Sequence, residues 1–127
     1  GTDLMLYQLR HRDGKIDPYS SATIILSDGS QRHLPLSEFQ IEVLDKWKSK
    51  KSGATYPAGW RIRVPKDQIE LLLTPTVRDQ ELITEGSTRI TYWEGSVRVE
   101  GKYGNNLVRG LGYVELTGYA KPLTGKI

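Results

Sequence analysis

The chain has 127 residues and a formal net charge of +3, which suits one domain able to bury a core without a metal or disulfide. It contains no cysteine, so disulfides, zinc–thiolate sites and a cysteine nucleophile are excluded. No apolar run approaches the roughly 18 residues that a membrane-spanning helix needs.

Short alternating runs, separated by turn residues, begin at the start of the chain. Residues 4–10 end shortly before Asp13-Gly14, and residues 19–27 follow Asp17-Pro18. Asp28-Gly29 then predicts a tight hairpin turn, because Asp and Gly tolerate the positive φ of such turns. The first part of the chain therefore predicts strands joined by short turns.

The next segment, residues 36–47, fits two structures. As a helix it would place Phe39, Val43 and Trp47 along one face. As a strand it would place Phe39, Ile41 and Val43 on one side of a sheet. We favour a strand, because Ile41 and Val43 are β-branched and the flanking segments also predict strands.

Alternation is strongest in the second half of the chain. Residues 60–64 alternate strictly, and the pattern continues until Pro75. Residues 92–99 and 110–119 form two longer runs, which the connection at residues 104–106 would join as an antiparallel hairpin. Many short strands with little helix predict a sandwich or barrel. The apolar side chains expected on its inner wall are Trp60, Ile62, Val64, Trp93, Val97, Val114 and Leu116.

A polar and aromatic set lies on the opposite face of the two long runs. It consists of Tyr92, Glu94, Arg98, Tyr113, Glu115 and Tyr119. Glu94 and Glu115 are candidates for a general acid and base or for a ligand-orienting network, since neighbouring carboxylates raise the pKa of one of them. The residues alone favour an outer polar face with cross-strand ion pairs. The crowding of tyrosines also indicates a surface that docks against something.

Other candidate sites are weaker. The two histidines, His11 and His33, lie beside turns and suit exposed strand ends better than metal ligands. The lysines around Trp47 suit a solvated loop better than a nucleic-acid footprint; they are Lys46, Lys48, Lys50 and Lys51. No nucleophile elbow or phosphate-binding glycine loop occurs. We therefore expect no metal, no cofactor and no nucleic-acid partner.

The two long runs resemble the signature of a lipocalin-like family that contains carotenoid 1,2-hydratase, AttH and the "predicted secreted hydrolases". Residues 4–10 with Asp13-Gly14, residues 56–62 and residues 79–82 are similar to further family blocks, in family order. The resemblance implies a calycin-type antiparallel β-barrel and a two-domain protein in which this chain is the C-terminal half. It also implies a periplasmic or extracellular location and a lipid or isoprenoid-type substrate.

We therefore expect residues 1–127 to form a single lipocalin-like domain that binds or helps enclose an apolar small molecule. One alternative is an enzyme that hydrates an isoprenoid double bond, with Glu94 or Glu115 as the proton donor. Another is a structural domain whose tyrosine-rich face packs on an N-terminal lipocalin-like domain of the same protein. Catalysis itself stays undecided, because the chain has no recognisable hydrolase motif.

Overall fold

The computed structural model describes residues 1–11, 13–84 and 90–120, and β-strands dominate these ranges. Two short 3₁₀ turns, Leu36–Glu38 and Pro65–Asp67, are the helical elements found there. None of the described helices is long and apolar enough to cross a membrane. The strands are β1 (Asp3–Tyr7), β2 (Ser21–Ile25), β3 (Gln31–Pro35), β4 (Gln40–Val43), β5 (Lys46–Lys48), β6 (Thr55–Pro57), β7 (Trp60–Val64), β8 (Ile69–Pro75), β9 (Glu81–Ile83), β10 (Thr91–Tyr103) and β11 (Asn106–Leu116).

One curled antiparallel sheet forms most of the domain, in the order β11-β10-β8-β7-β4, with β9 also paired to β10. It has the shape of a half-barrel. β1, β2 and β3 form a second antiparallel sheet, and β5 with β6 forms a small hairpin. The all-β antiparallel prediction is confirmed. So is the turn at Asp28-Gly29, where Gly29 has φ 87° between β2 and β3.

The ambiguous segment at residues 36–47 is extended after a single 3₁₀ turn. β4 pairs with β7 so that Ile41 lies opposite Ile62, and β5 pairs with β6 so that Trp47 lies opposite Tyr56. The sheet ladder gives the backbone of β4 hydrogen-bond partners that a helix would have to forgo. The preference for a strand over a helix is therefore correct for most of this segment.

Two apolar clusters fill the space between the sheets. In one, Ile24 and Leu34 from the three-stranded sheet pack with Val64 of β7. In the other, Trp60 and Trp93 meet edge to face, with ring centroids 6.4 Å apart. Burying such side chains stabilises the fold by roughly 1.5–3 kcal/mol each. The core thus joins the half-barrel to the smaller sheets that cover it.

β8 and β9 pair with the same edge of β10, and between them the side chain of Gln80 takes the place of a strand. Gln80 Oε1 accepts a hydrogen bond from the Ser96 N–H at 3.0 Å, and Gln80 Nε2 donates to the Ser96 carbonyl at 3.1 Å. A Cβ at Gly95 would lie 1.9 Å from Gln80 Oε1. Glycine at position 95 therefore permits this close approach and keeps the junction hydrogen-bonded.

The hairpin of β10 and β11 positions the candidate site. Its ladder runs without a bulge from Tyr103 opposite Asn106 to Trp93 opposite Leu116. The two-residue turn has Gly104 at φ 61°, the positive value that its first central position requires. Because the register is regular, every second side chain of both strands lies on the same outer face of the sheet.

Candidate functional site

The outer face of β10 and β11 brings the two candidate carboxylates together. Glu94 lies directly opposite Glu115 in the ladder, and Ser96 lies opposite Tyr113. Glu94 is half-buried, whereas Glu115 is exposed. The pair therefore points away from the core, towards the outside of the half-barrel.

Glu94 and Glu115 place two like charges opposite each other on this face. Like charges directly opposite each other in a ladder are destabilising. Among the described residues, neither Glu94 nor Glu115 forms an ion pair within 4.0 Å. Partial burial, together with the charges of Glu94 and Glu115 and a hydrogen bond to Glu94, raises the pKa of Tyr92. Tyr92 therefore stays protonated beside the two carboxylates and acts as a hydrogen-bond donor to one of them.

Two members of the predicted polar face lie further away. Arg98 is on the same face but sits opposite Leu111, four residues along β10 from Glu94. Tyr119 lies beyond the strand, because β11 ends at Leu116 and Gly118 then adopts φ 80°. Strand alternation no longer applies there, so placing Tyr119 on the face with Glu94 is wrong.

Tyr119 instead belongs to an aromatic cluster beside the core. Its ring lies 5.8 Å from the ring of Tyr56, and the Tyr56 ring lies 6.2 Å from that of Trp47. On the Tyr119 ring, the Arg10 guanidinium carbon lies 3.8 Å from the centroid. Burial raises the pKa of Tyr119, and the Arg10 charge opposes this only in part.

The side chains expected on the inner wall all face the core. Five of them are buried, while Val114 and Leu116 are partly buried against the tryptophan cluster; the five are Trp60, Ile62, Val64, Trp93 and Val97. These side chains pack on one another and on Tyr56 and Leu34, which are fully buried. In the described part of the chain, the wall therefore forms a packed core rather than the lining of a hollow barrel.

Grooves of two sizes open on the outside of the described part of the chain. The larger, of about 980 Å³, runs across the outer face of β8, β10 and β11. Leu72 and Leu107 contribute apolar surface to it, and Arg63, Glu100 and Arg109 contribute charge. The lining of this groove therefore combines apolar and charged side chains.

Sequence reasoning missed a hydrogen-bonded carboxylate on β9. Glu81 accepts hydrogen bonds from Ser49 Oγ at 2.5 Å, Ser52 Oγ at 2.5 Å and Tyr56 Oη at 2.8 Å. Ser49 and Tyr56 are buried, and the Ser49 hydroxyl also accepts the backbone N–H groups of residues 51 and 52. Glu81 thereby connects the β5–β6 hairpin to the edge of β10.

The electrostatics of this cluster favour a charged carboxylate. Burial would raise the pKa of Glu81, but the three hydrogen bonds and the charge of Lys51 outweigh it and hold the pKa below its usual value. Burial and the Glu81 carboxylate raise the pKa of Tyr56. A serine pair at residues 49 and 52 is the only sequence signal for this cluster, and nothing local connects it to Glu81.

The described residues contain no cluster of three or more metal-ligating side chains. His11 is paired with Asp17 at 3.1 Å, and His33 is exposed on β3. The lysines at positions 46, 48, 50 and 51 are all exposed.

Residues 1–119 match the model of the AttH-like family. A candidate AttH protein from Nitrosomonas europaea has a crystal structure that is 30% identical, with a TM-score of 0.81 over 95% of this chain and 36% of its own. Kievitone hydratase from Nectria haematococca is 21% identical, with a TM-score of 0.72 over 91% of this chain and 35% of its own. No curated protein shows significant similarity to the sequence. The chain thus spans little more than a third of both solved relatives.

Proposed function

The chain belongs to the AttH-like family and has its lipocalin-like fold, and on that premise we propose that it forms one wall of a binding site for an apolar small molecule. The ligand would be of the lipid or isoprenoid type. The remainder of the site would come from another lipocalin-like domain of the same protein. The observation that carries this proposal is the contrast between a filled interior and a partly apolar outer face.

The filled interior argues against a ligand inside this domain. A small barrel either packs its interior with side chains or holds one ligand. Here Trp93, near the start of β10, is 1% exposed, and Val97, in the middle of β10, is fully buried. A ligand of isoprenoid size would have to displace such side chains, at a cost of several kcal/mol of packing energy.

The outer face has the opposite character. Leu107, Leu111 and Tyr113 of β11 are 82%, 83% and 68% exposed, and Leu107 also lines the larger groove. Leu111 and Tyr113 are neighbours on this face, and Arg109 separates them from Leu107. Exposed apolar side chains that lie together mark a binding region more often than scattered single residues do. This surface supports a role in which the domain helps to enclose a ligand from one side.

A second candidate function is acid-catalysed hydration of an isoprenoid double bond. The observation that favours it is the opposed pair Glu94 and Glu115 beside Tyr92, together with the name of the kievitone hydratase that shares the fold. A protonated carboxyl would add its proton to one alkene carbon, and water would add to the other. The second carboxylate would take the proton that the water loses.

The binding proposal is tested by mapping amide chemical shifts of the ¹⁵N-labelled chain during titration with farnesol and, separately, with oleate. We expect saturable shifts at Leu72, Leu107 and Leu111 and none at Trp60 or Trp93. Shifts confined to the core residues, or no shifts up to the solubility limit of both probes, would contradict the proposal.

A matched pair of variants checks the location. Leu107→Ser should abolish the farnesol shifts, whereas Val77→Ser, which alters an exposed apolar side chain in a loop, should leave them unchanged. For the hydration candidate, farnesol is incubated in ¹⁸O-water and analysed by mass spectrometry. Product that disappears in both Glu94→Gln and Glu115→Gln would favour the enzyme, and its absence in the unaltered chain would exclude it.

Export to the periplasm or the cell exterior is also part of the proposal and rests on the family resemblance alone. Fractionation of cells that produce the whole protein tests it, and recovery in the cytosol would contradict it.

A further inference from the structure

β11 is the edge strand of the half-barrel. It spans 11 residues, pairs with β10 on one side, and in the described ranges has no strand on the other. Proteins usually protect such an edge by making it short, charged, bulged or covered, because its free backbone groups can pair with another chain. Here the ladder has no bulge, and Leu107, Leu111 and Tyr113 are exposed along it.

The hairpin geometry identifies the backbone groups that remain free. The two-residue turn at Gly104 makes Tyr103 and Asn106 a hydrogen-bonded pair. Hydrogen-bonded and non-hydrogen-bonded pairs alternate along an antiparallel ladder. The odd-numbered residues from 107 to 115 therefore direct their N–H and C=O groups away from β10, and their side chains all lie on the outer face.

We propose that β11 pairs antiparallel with β11 of a second copy of this chain, about a two-fold axis at Gly112. In this register, Arg109 of each copy faces Glu115 of the other, and Leu111 faces Tyr113. Symmetry repeats both contacts. On the core side Gly110 faces Val114, so that a small residue meets a larger one.

Charge decides between this register and its neighbours. Within one copy, Glu115 lies opposite Glu94 and Arg109 lies opposite Glu100. Among the described residues, neither Glu115 nor Arg109 forms an ion pair within 4.0 Å. An axis at Leu111 would put Arg109 opposite Tyr113 and Glu115 opposite Leu107. An axis at Tyr113 would put Glu115 opposite Leu111. Only the Gly112 axis supplies each Glu115 with a cation, which also relieves its repulsion with Glu94.

The result is one continuous sheet running through both copies, a form of strand addition. The inference goes beyond the proposed function and stands on the edge of β11 and the charges along it. The dimer can form whether or not an apolar ligand binds, and farnesol titration can fail without affecting it.

The test is the mass of the purified chain in solution, by sedimentation velocity and by light scattering after gel filtration, across the micromolar range. We expect a concentration-dependent rise from 14.4 kDa to twice that mass. Arg109→Glu and Glu115→Arg should each weaken dimerisation by at least about tenfold, because each creates two like-charge contacts. Lys48→Glu, which makes the same charge change as Arg109→Glu but on exposed β5, is the matched control and should dimerise normally.

Mixing the two single variants separates pairing from misfolding. An equimolar mixture should form a heterodimer, since each contact across the axis again joins opposite charges, and the double variant Arg109→Glu/Glu115→Arg should regain the homodimer. Amide exchange at Leu111 and Tyr113 should slow only at concentrations where the dimer forms. A monomer throughout the range, single variants that dimerise like the unaltered chain, or a mixture that stays monomeric would overturn the proposal.

Discussion

Removal of the Glu81 carboxylate should destabilise the domain severely. In Glu81→Ala three hydroxyl groups lose their acceptor, and two of them, Ser49 Oγ and Tyr56 Oη, belong to buried residues. A hydrogen bond to a charged group contributes about 1.5–3 kcal/mol, and Ser52 can turn to water. Two such bonds give about 3–6 kcal/mol, and relief of the partly buried charge lowers the expected loss to about 2–4 kcal/mol.

Urea unfolding, followed by tryptophan fluorescence near pH 7, measures this loss. Domains of this size have unfolding free energies of about 5–15 kcal/mol, so the urea concentration at the midpoint should fall by a large fraction while the m-value stays unchanged. Glu42→Ala, which removes the exposed partner of Arg61 at 3.0 Å, is the control and should cost at most about 1 kcal/mol. If Glu81→Ala and Glu42→Ala destabilise equally, the cluster does not hold the β5–β6 hairpin as argued.

The same cluster predicts a pH dependence of known sign. Hydrogen bonds to Glu81 hold its folded pKa below the usual 4.5. Its contribution to stability is therefore present above about pH 4.5 and is lost as the pH falls through the lower, folded pKa. The difference in unfolding free energy between the unaltered chain and Glu81→Gln should accordingly shrink on acidification below that pH. A difference that grows on acidification would contradict the assigned charge state.

Three further substitutions follow from the geometry. Gly95→Ala should lower the free energy of unfolding in urea by about 1–3 kcal/mol, because the new Cβ displaces the Gln80 amide. The loss should be much smaller in a Gln80→Ala background, and equal losses in both backgrounds would contradict the described contact. Glu94→Lys should change the urea midpoint by less than the equivalent of about 1 kcal/mol, because the side chain faces outwards, and a loss of several kcal/mol would place it in the core. Arg10→Ala should lower the free energy of unfolding by about 0.5–1 kcal/mol. It should also raise the pKa of Tyr119 in an absorbance titration, because the Arg10 charge lowers that pKa; a downward shift would contradict the contact between Arg10 and the Tyr119 ring.

The strand pattern was predictable wherever each residue contacts its neighbours through a regular ladder. Alternation alone places Trp93 and Val97 in the core and Glu94 and Glu115 on the opposite face, because both long strands continue without a bulge. It fails at Tyr119, where Gly118 turns the chain out of the strand.

Contacts between distant parts of the chain were not predictable. Glu81 reaches Ser49 across 32 residues and Tyr56 across 25. The amide of Gln80 substitutes for a strand, although nothing in its local sequence distinguishes it from an ordinary loop glutamine. Such contacts depend on how the sheets pack, which periodicity within one segment does not encode.

The pairing order has a consequence for the time course of folding. Most ladders join strands that are close in sequence, such as β2 with β3, β7 with β8 and β10 with β11. Each needs only a short loop to close, so the entropy lost before contacts form is small. β8, β9 and β11 then all pair with β10. Folding should therefore start from local hairpins, which then assemble on β10. The folding rate should be higher than in all-β domains whose first and last strands must pair early.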